Sequence, residues 1–169
     1  MIHDRPLLNV EPEMTTSIKQ GSNGNQSIEK LITKAKGTVY VNDSIARAMQ
    51  LYHIHNVPYL VMVDQNDKVI GMLRKDTILE YCYKLLSRTT GITGSRYELA
   101  YHNLSDFIQN TSPVLKITDP IKKVIDFVLN TGFNVFPVVD EYNKLVGTIG
   151  CRDILEGHVD GIIKLTKNT

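Results

Sequence analysis

The sequence predicts an α+β fold built from two β-α-β-β-α repeats packed on one another, and three observations carry that expectation. First, the chain matches itself without a gap at an offset of 76 residues, from Ile28–Glu80 to Leu104–Glu156. Identities in that register include Asp43/Asp119, Ile45/Ile121, Val63/Val139, Asp64/Asp140, Gly71/Gly147 and Ile78-Leu79-Glu80/Ile154-Leu155-Glu156. Second, the apolar spacing switches between helical and strand-like at matching places in both copies. Third, a unit of roughly 50 residues is too short to bury a stable core alone, so each copy needs its twin. Two copies at so long a period do not make a solenoid.

The elements follow in order. A short strand is expected at Val39–Val41 and again at Leu115–Ile117. Asp43 and Asp119 then read as N-caps, with Pro120 at a favourable first helical position. Apolar residues at helical spacing follow, Ile45, Ala48, Met49 and Tyr52 in one copy and Ile121, Val124, Ile125 and Val128 in the other. Asn56 and Gly132 end these helices ahead of β-rich runs at Tyr59–Val63 and Val135–Val139. Polar turns at 64–68 and 140–144 lead into second strands at Val69–Leu73 and Leu145–Ile149. Thr77-x-x-Glu80 and Asp153-x-x-Glu156 fit a capping signature and open the last helix of each copy.

This divides the chain into an N-terminal tail or arm (1–27) with one short helix docking on the body, a first repeat (28–86), a connector (87–103), a second repeat (104–160) and a C-terminal tail (161–169). In the connector, the stretch with Gly91 and Gly94 reads as a loop and Tyr97–His102 as a short helix.

Composition bounds the function. The chain has 169 residues, 42% hydrophobic, with 19 Lys+Arg against 18 Asp+Glu. A net charge of +1 without a basic run gives no electrostatic footprint for nucleic acid or an anionic membrane. No apolar stretch approaches the ~20 residues that cross a bilayer, and no secretory signal is evident, so the protein reads as cytoplasmic. Cys82 and Cys151 lie far apart and read as reduced thiols. His53 and His55, two apart on a helix, point to different faces and make no metal pair. No nucleophile elbow, supported carboxylate pair or metal spacing indicates catalysis, and no cofactor is required.

The order Asp119-Pro120-Ile121, Gly132-Phe133, Phe136-Pro137-Val138-Val139-Asp140, Leu145-Val146-Gly147-Thr148-Ile149 and Asp153-Ile154-Leu155 closely resembles a cystathionine-β-synthase-type (CBS) domain. The first copy, through Leu60-Val61-Met62-Val63-Asp64, Val69-Ile70-Gly71-Met72-Leu73 and Ile78-Leu79, resembles a more divergent member. The resemblance covers residues 28 to about 158. It implies a pair of domains related by a pseudo-twofold axis, the Bateman module, whose two clefts bind adenosine-containing ligands. Such modules regulate and rarely catalyse.

The family pattern Gly-apolar-x-Thr/Ser-x-x-Asp, whose carboxylate bonds the ribose hydroxyls, fits the second copy through Gly147 and Asp153, with Gly150 where the hydroxyl residue is expected. In the first copy Gly71 fits, but Arg74 takes the hydroxyl position and Thr77 the acidic one. A carboxylate can accept two hydrogen bonds from a cis-diol and Thr77 cannot offer that geometry, so the site around Asp153 is the expected one. Asp153 also has a purely structural reading as a helix cap. The resemblance places the adenine among Ser112, Pro113, Val114 and Val135, Phe136, Pro137, of which Val135 and Phe136 could equally be sheet core. The basic residues the family carries after its Gly-Ile pair are missing, since Asn134, Val135 and Pro58, Tyr59 stand there. Arg152, Arg74 and Lys75 are the remaining phosphate candidates, against a reading as solvated surface charges.

The resemblance therefore implies a stand-alone regulatory sensor that binds AMP, ADP or ATP between its repeats, forms a homodimer through its last helices and acts on an unidentified protein. The alternatives are a ligand-free dimerisation or docking module, and a sensor of S-adenosylmethionine or a cyclic dinucleotide.

Overall fold

The computed structural model describes residues 26–88 and 100–165. The arm before Gln26, the glycine-bearing loop at Gly91 and Gly94 and the last four residues lie outside the described residues. A 3-10 turn at Glu29–Leu31 precedes β1 (Thr38–Tyr40), α1 (Ile45–His55), β2 (Tyr59–Val63), β3 (Val69–Arg74) and α2 (Lys75–Leu86). A second 3-10 segment, Leu104–Asn110, precedes β4 (Leu115–Lys116), α3 (Ile121–Thr131), β5 (Val135–Val139), β6 (Leu145–Gly150) and α4 (Cys151–Val159). The fold is α+β, two β-α-β-β-α units in tandem, as the repeat predicts.

The units match residue for residue. In each sheet the first strand runs parallel to the second and the second antiparallel to the third. Val39 pairs with Met62 as Leu115 does with Val138, and both second strands carry a register shift before their last residue, Met62/Val63 and Val138/Val139. The turns agree too. Asp64 Oδ1 accepts from the N–H groups of Asn66 and Lys68 at 2.8 and 2.9 Å, and Asp140 Oδ1 from Tyr142 and Lys144 at the same distances. This is the local side-chain bonding that makes Asp a turn former.

The helix starts differ from the sequence expectation. Ser44, not Asp43, caps α1, its Oγ accepting from Arg47 N–H at 3.2 Å, and Pro120 occupies the cap position of α3. The two aspartates fold back on the preceding strands instead. Tyr40 N–H donates to Asp43 Oδ2 at 2.9 Å and Lys116 N–H to Asp119 Oδ2 at 2.7 Å. α2 and α4 also begin earlier than the capping signature suggests, because β3 and β6 run into them with no intervening turn. Thr77 and Asp153 are therefore third helical residues, not caps.

The repeats exchange their opening segments. The first core is built on Val39, Ile45, Tyr52, Leu60 and Leu73, and it also contains Leu104 and Phe107 from the start of the second repeat. The second core, around Leu115, Val124, Phe136 and Ile149, contains Ile28 and Leu31 from the start of the first. The backbone bonds are reciprocal at the 76-residue offset. Ile45 N–H donates to His102 O at 3.1 Å and Leu104 N–H to Asp43 O at 2.9 Å, while Ile121 N–H donates to Gln26 O at 3.0 Å and Ile28 N–H to Asp119 O at 3.4 Å. Burying four such side chains stabilises the fold by about 1.5–3 kcal/mol each, so each half lends the other part of its core.

Lys68 bridges Lys144, its own counterpart, which places the pseudo-twofold axis between them. Along the seam, Val61, Val63, Val69, Met72 and Val139 form a third apolar cluster. Gly71 and Gly147 permit the exchange. A Cβ on Gly147 would collide with the Thr33 carbonyl and one on Gly71 with the Ser112 carbonyl, so each glycine admits the other repeat's incoming backbone. Ile163, in the segment expected as a tail, is buried in the second core.

Candidate functional site

The exchange creates an inter-repeat cleft of about 530 Å³, within the range of roughly 300–1,000 Å³ usual for small-molecule sites. One side is the incoming segment of the first repeat, Thr33, Lys34, Lys36 and Gly37. The opposite side is the end of β6 and the start of α4, Thr148, Gly150, Arg152, Asp153 and Glu156. Apolar walls come from Val57, Tyr59, Val61 and Met72 of the first repeat and Val135 of the second. Thr33 and Thr148 zip one end, each backbone N–H donating to the other's carbonyl at 2.8 Å.

Asp153 is the partly buried carboxylate of this cleft. Its position one turn into α4 lets Oδ2 accept from Gly150 N–H at 2.7 Å, satisfying a group that the helix start leaves unpaired. Burial pushes its pKa above the usual carboxylate value, against the opposing effect of the Gly150 hydrogen bond. An ionised carboxylate has about four acceptor sites, so this one bond leaves capacity for a diol. Gly150, where a hydroxyl residue was expected, is explained by crowding. A Cβ there would collide with Asn134 O and Val135, and Cys151 N–H donates to that same carbonyl at 2.9 Å.

Cations line the rim. Lys34 and Lys36 are exposed on the incoming segment. Arg152 lies beside Asp153, but its Nε is held by Glu156 Oε1 at 2.6 Å, one turn along the helix.

Of the residues singled out in the sequence, Asp153, Arg152, Gly150 and Val135 line this cleft. The others do not. Ser112, Pro113 and Val114 belong to the second repeat's incoming segment, which crosses β3 on the far side of the pseudo-twofold axis. There Met72 N–H donates to the buried Ser112 Oγ at 3.0 Å, and that hydroxyl donates to Pro113 O at 3.0 Å. Phe136 is fully buried in the second core, on the opposite strand face from Val135, and Pro137 is buried in the sheet. Arg74 pairs with Asp76 at 3.0 Å and lies over the Phe133 ring at 5.1 Å, with Lys75 exposed beside it. Sequence reasoning missed Lys34, Lys36, Tyr59 and Met72. Their signal was the 76-residue register itself, once one knows that the incoming segments cross over.

The family model described as CBS domain matches residues 28–84 and 104–160. The chain belongs to the CBS-domain family. As a CBS pair it is a regulatory module, and among the described residues no helix is long and apolar enough to cross a membrane. A curated relative, an uncharacterised 17.7 kDa protein of Acidianus ambivalens, is 23% identical over 133 residues, covering 79% of this chain and 73% of that protein. Among solved structures, a CBS domain-containing protein of unknown function from Bacillus anthracis str. Ames Ancestor superposes with a TM-score of 0.64 at 16% identity, covering 81% of this chain and 95% of that one. CBSX2, solved in complex with AMP, superposes with a TM-score of 0.60 at 18% identity, covering 80% and 98%.

Proposed function

We propose that this CBS pair is a sensor of an adenine nucleotide, AMP, ADP or ATP, bound in the cleft between the incoming segment Thr33–Gly37 and the start of α4. The observation that carries the proposal is the position of Asp153: a partly buried carboxylate with spare acceptor capacity, facing an apolar slot across the repeat seam. Tyr59, Val61, Met72 and Val135 offer flat apolar walls for a purine, and the backbone of the incoming segment offers donors and acceptors to its edge. Asp153 receives the ribose hydroxyls, and Lys34, Lys36 and Arg152 face the phosphates.

A ligand in this position touches both repeats, so its affinity depends on how they sit relative to each other. Differential affinity for two arrangements is what a regulatory ligand needs to shift a population. Occupancy would be passed to an unidentified partner through a homodimer. Leu79, Tyr83, Leu155 and Val159, counterparts in pairs on α2 and α4, are exposed apolar residues suited to that contact.

The test is a thermal-shift panel of AMP, ADP, ATP, S-adenosylmethionine and cyclic dinucleotides. A ligand at 100 times its dissociation constant adds about 2.7 kcal/mol of stability, which corresponds to roughly 5–11 °C for a chain of this size. An adenine mononucleotide is expected to give the largest shift. A flat panel at millimolar ligand would leave only the docking-module reading.

A further inference from the structure

The twofold that relates the repeats should generate a second cleft, with Arg74, Asp76, Thr77 and Glu80 in the places of Gly150, Arg152, Asp153 and Glu156. We infer that Arg74 is a built-in plug of that second cleft, so that one chain binds a single nucleotide; this rests on the nucleotide reading of the Asp153 cleft.

Three observations support the plug. In the open cleft, Gly150 of one repeat and Val57 of the other both line the space, and neither reaches across it. Their counterparts are Arg74 and Phe133, both far larger, and they meet: the guanidinium carbon lies 5.1 Å from the ring centroid, bridging the two repeats. A cation over an aromatic face is attracted by the ring quadrupole, so the contact holds the side chain across the seam. Asp76 Oδ1 stands 3.0 Å from Nε of the same side chain, an ion pair without hydrogen-bond geometry that adds charge attraction on the first-repeat side.

Two spaces remain beside Arg74, one over Tyr59 and Lys75 and the other over Thr77 and Glu80. Every residue lining either of them belongs to the first repeat, so neither crosses the seam as the Asp153 cleft does. Thr77 completes the asymmetry, because its single hydroxyl oxygen lacks the two-oxygen geometry with which a carboxylate receives both ribose hydroxyls. Arg74 is thus not a phosphate ligand of the working cleft but the occupant of its twin.

The test is nucleotide stoichiometry by isothermal titration with AMP and with ATP. The full chain is expected to bind one equivalent. The Arg74→Gly/Thr77→Asp variant, which copies Gly150 and Asp153 into the first repeat, is expected to bind one equivalent more than the unaltered chain. If glycine at the end of β3 prevents folding, Arg74→Thr/Thr77→Asp supplies a β-branched residue there and carries the same expectation. Two equivalents on the unaltered chain, or no gain in a folded variant, would overturn the plug. No binding to the unaltered chain together with one equivalent on the variant would instead overturn the reading of the Asp153 cleft and leave the plug standing.

Discussion

Replacing Asp153 with asparagine separates binding from stability. Asn keeps the shape and a carbonyl oxygen for the Gly150 N–H, now bonded to Asp153 at 2.7 Å, but it removes the charge and one acceptor oxygen. The folded-state pKa of Asp153 lies above its ordinary value, chiefly because burial disfavours the ionised form. A group shifted in that direction holds its proton more tightly in the folded than in the unfolded chain. Stability from this site is therefore lost as pH rises from the unfolded pKa through the folded one, and at neutral pH the ionised carboxylate weighs against folding. Asp153→Asn is expected to melt at or slightly above the temperature of the unaltered protein at pH 7, with the difference vanishing once the pH is below the unfolded-state carboxyl value of about 4. Binding should move the other way. Hydrogen bonds to a charged group contribute about 1.5–3 kcal/mol, so losing the carboxylate should weaken AMP by roughly 10- to 100-fold. Calorimetric titration and ligand-free melting on the same preparations give both values. Unchanged AMP affinity with a lowered melting temperature would mean that Asp153 only braces the start of α4.

Other expectations follow from the same geometry. Lys34→Ala and Lys36→Ala should each weaken ATP by about 1 kcal/mol, roughly fivefold, in low salt and leave adenosine nearly unchanged, as exposed rim charges do; titration at two ionic strengths checks this. Gly147→Ala should destabilise the fold by about 1–3 kcal/mol, because the new methyl meets the Thr33 carbonyl and not a movable side chain; urea unfolding measures it. Gly71→Ala should behave alike against the Ser112 carbonyl. For the proposed homodimer, Leu79→Glu combined with Leu155→Glu is expected to leave a monomer in light scattering, with the melting of the monomer unaltered, since both side chains are exposed.

Much of the architecture was legible because the duplication is written in residues that do local work. Asp64 and Asp140 close the same turn, and Tyr59–Val63 and Val135–Val139 form strands with the boundaries their β-rich composition indicates. Helix starts were less legible. Asp43 and Asp119 look like caps, yet the same short side chain bonds equally well to the backbone behind it, and only the path of the chain decides.

The exchange of incoming segments was not legible at all. An offset says that Ile28 corresponds to Leu104, but an apolar residue is equally satisfied in either of two similar cores. The bed of the cleft was missed for that reason: Asp153 could be picked out by its motif, whereas the strip facing it, Thr33–Gly37, comes from the other repeat. Arg74 was visible only as a departure from a motif. Its contact with Phe133 depends on the twofold, which brings together residues 59 positions apart.

The proposed sensor holds a purine nucleotide across the seam with its sugar on Asp153. A crystal structure of the protein grown with AMP tests it most directly. The expected structure has the base between Tyr59 and Val135, the ribose hydroxyls within hydrogen-bond distance of the Asp153 carboxylate, and the Arg74 side chain still resting on Phe133. AMP lodged elsewhere on the chain, or a ribose turned away from Asp153, would contradict it.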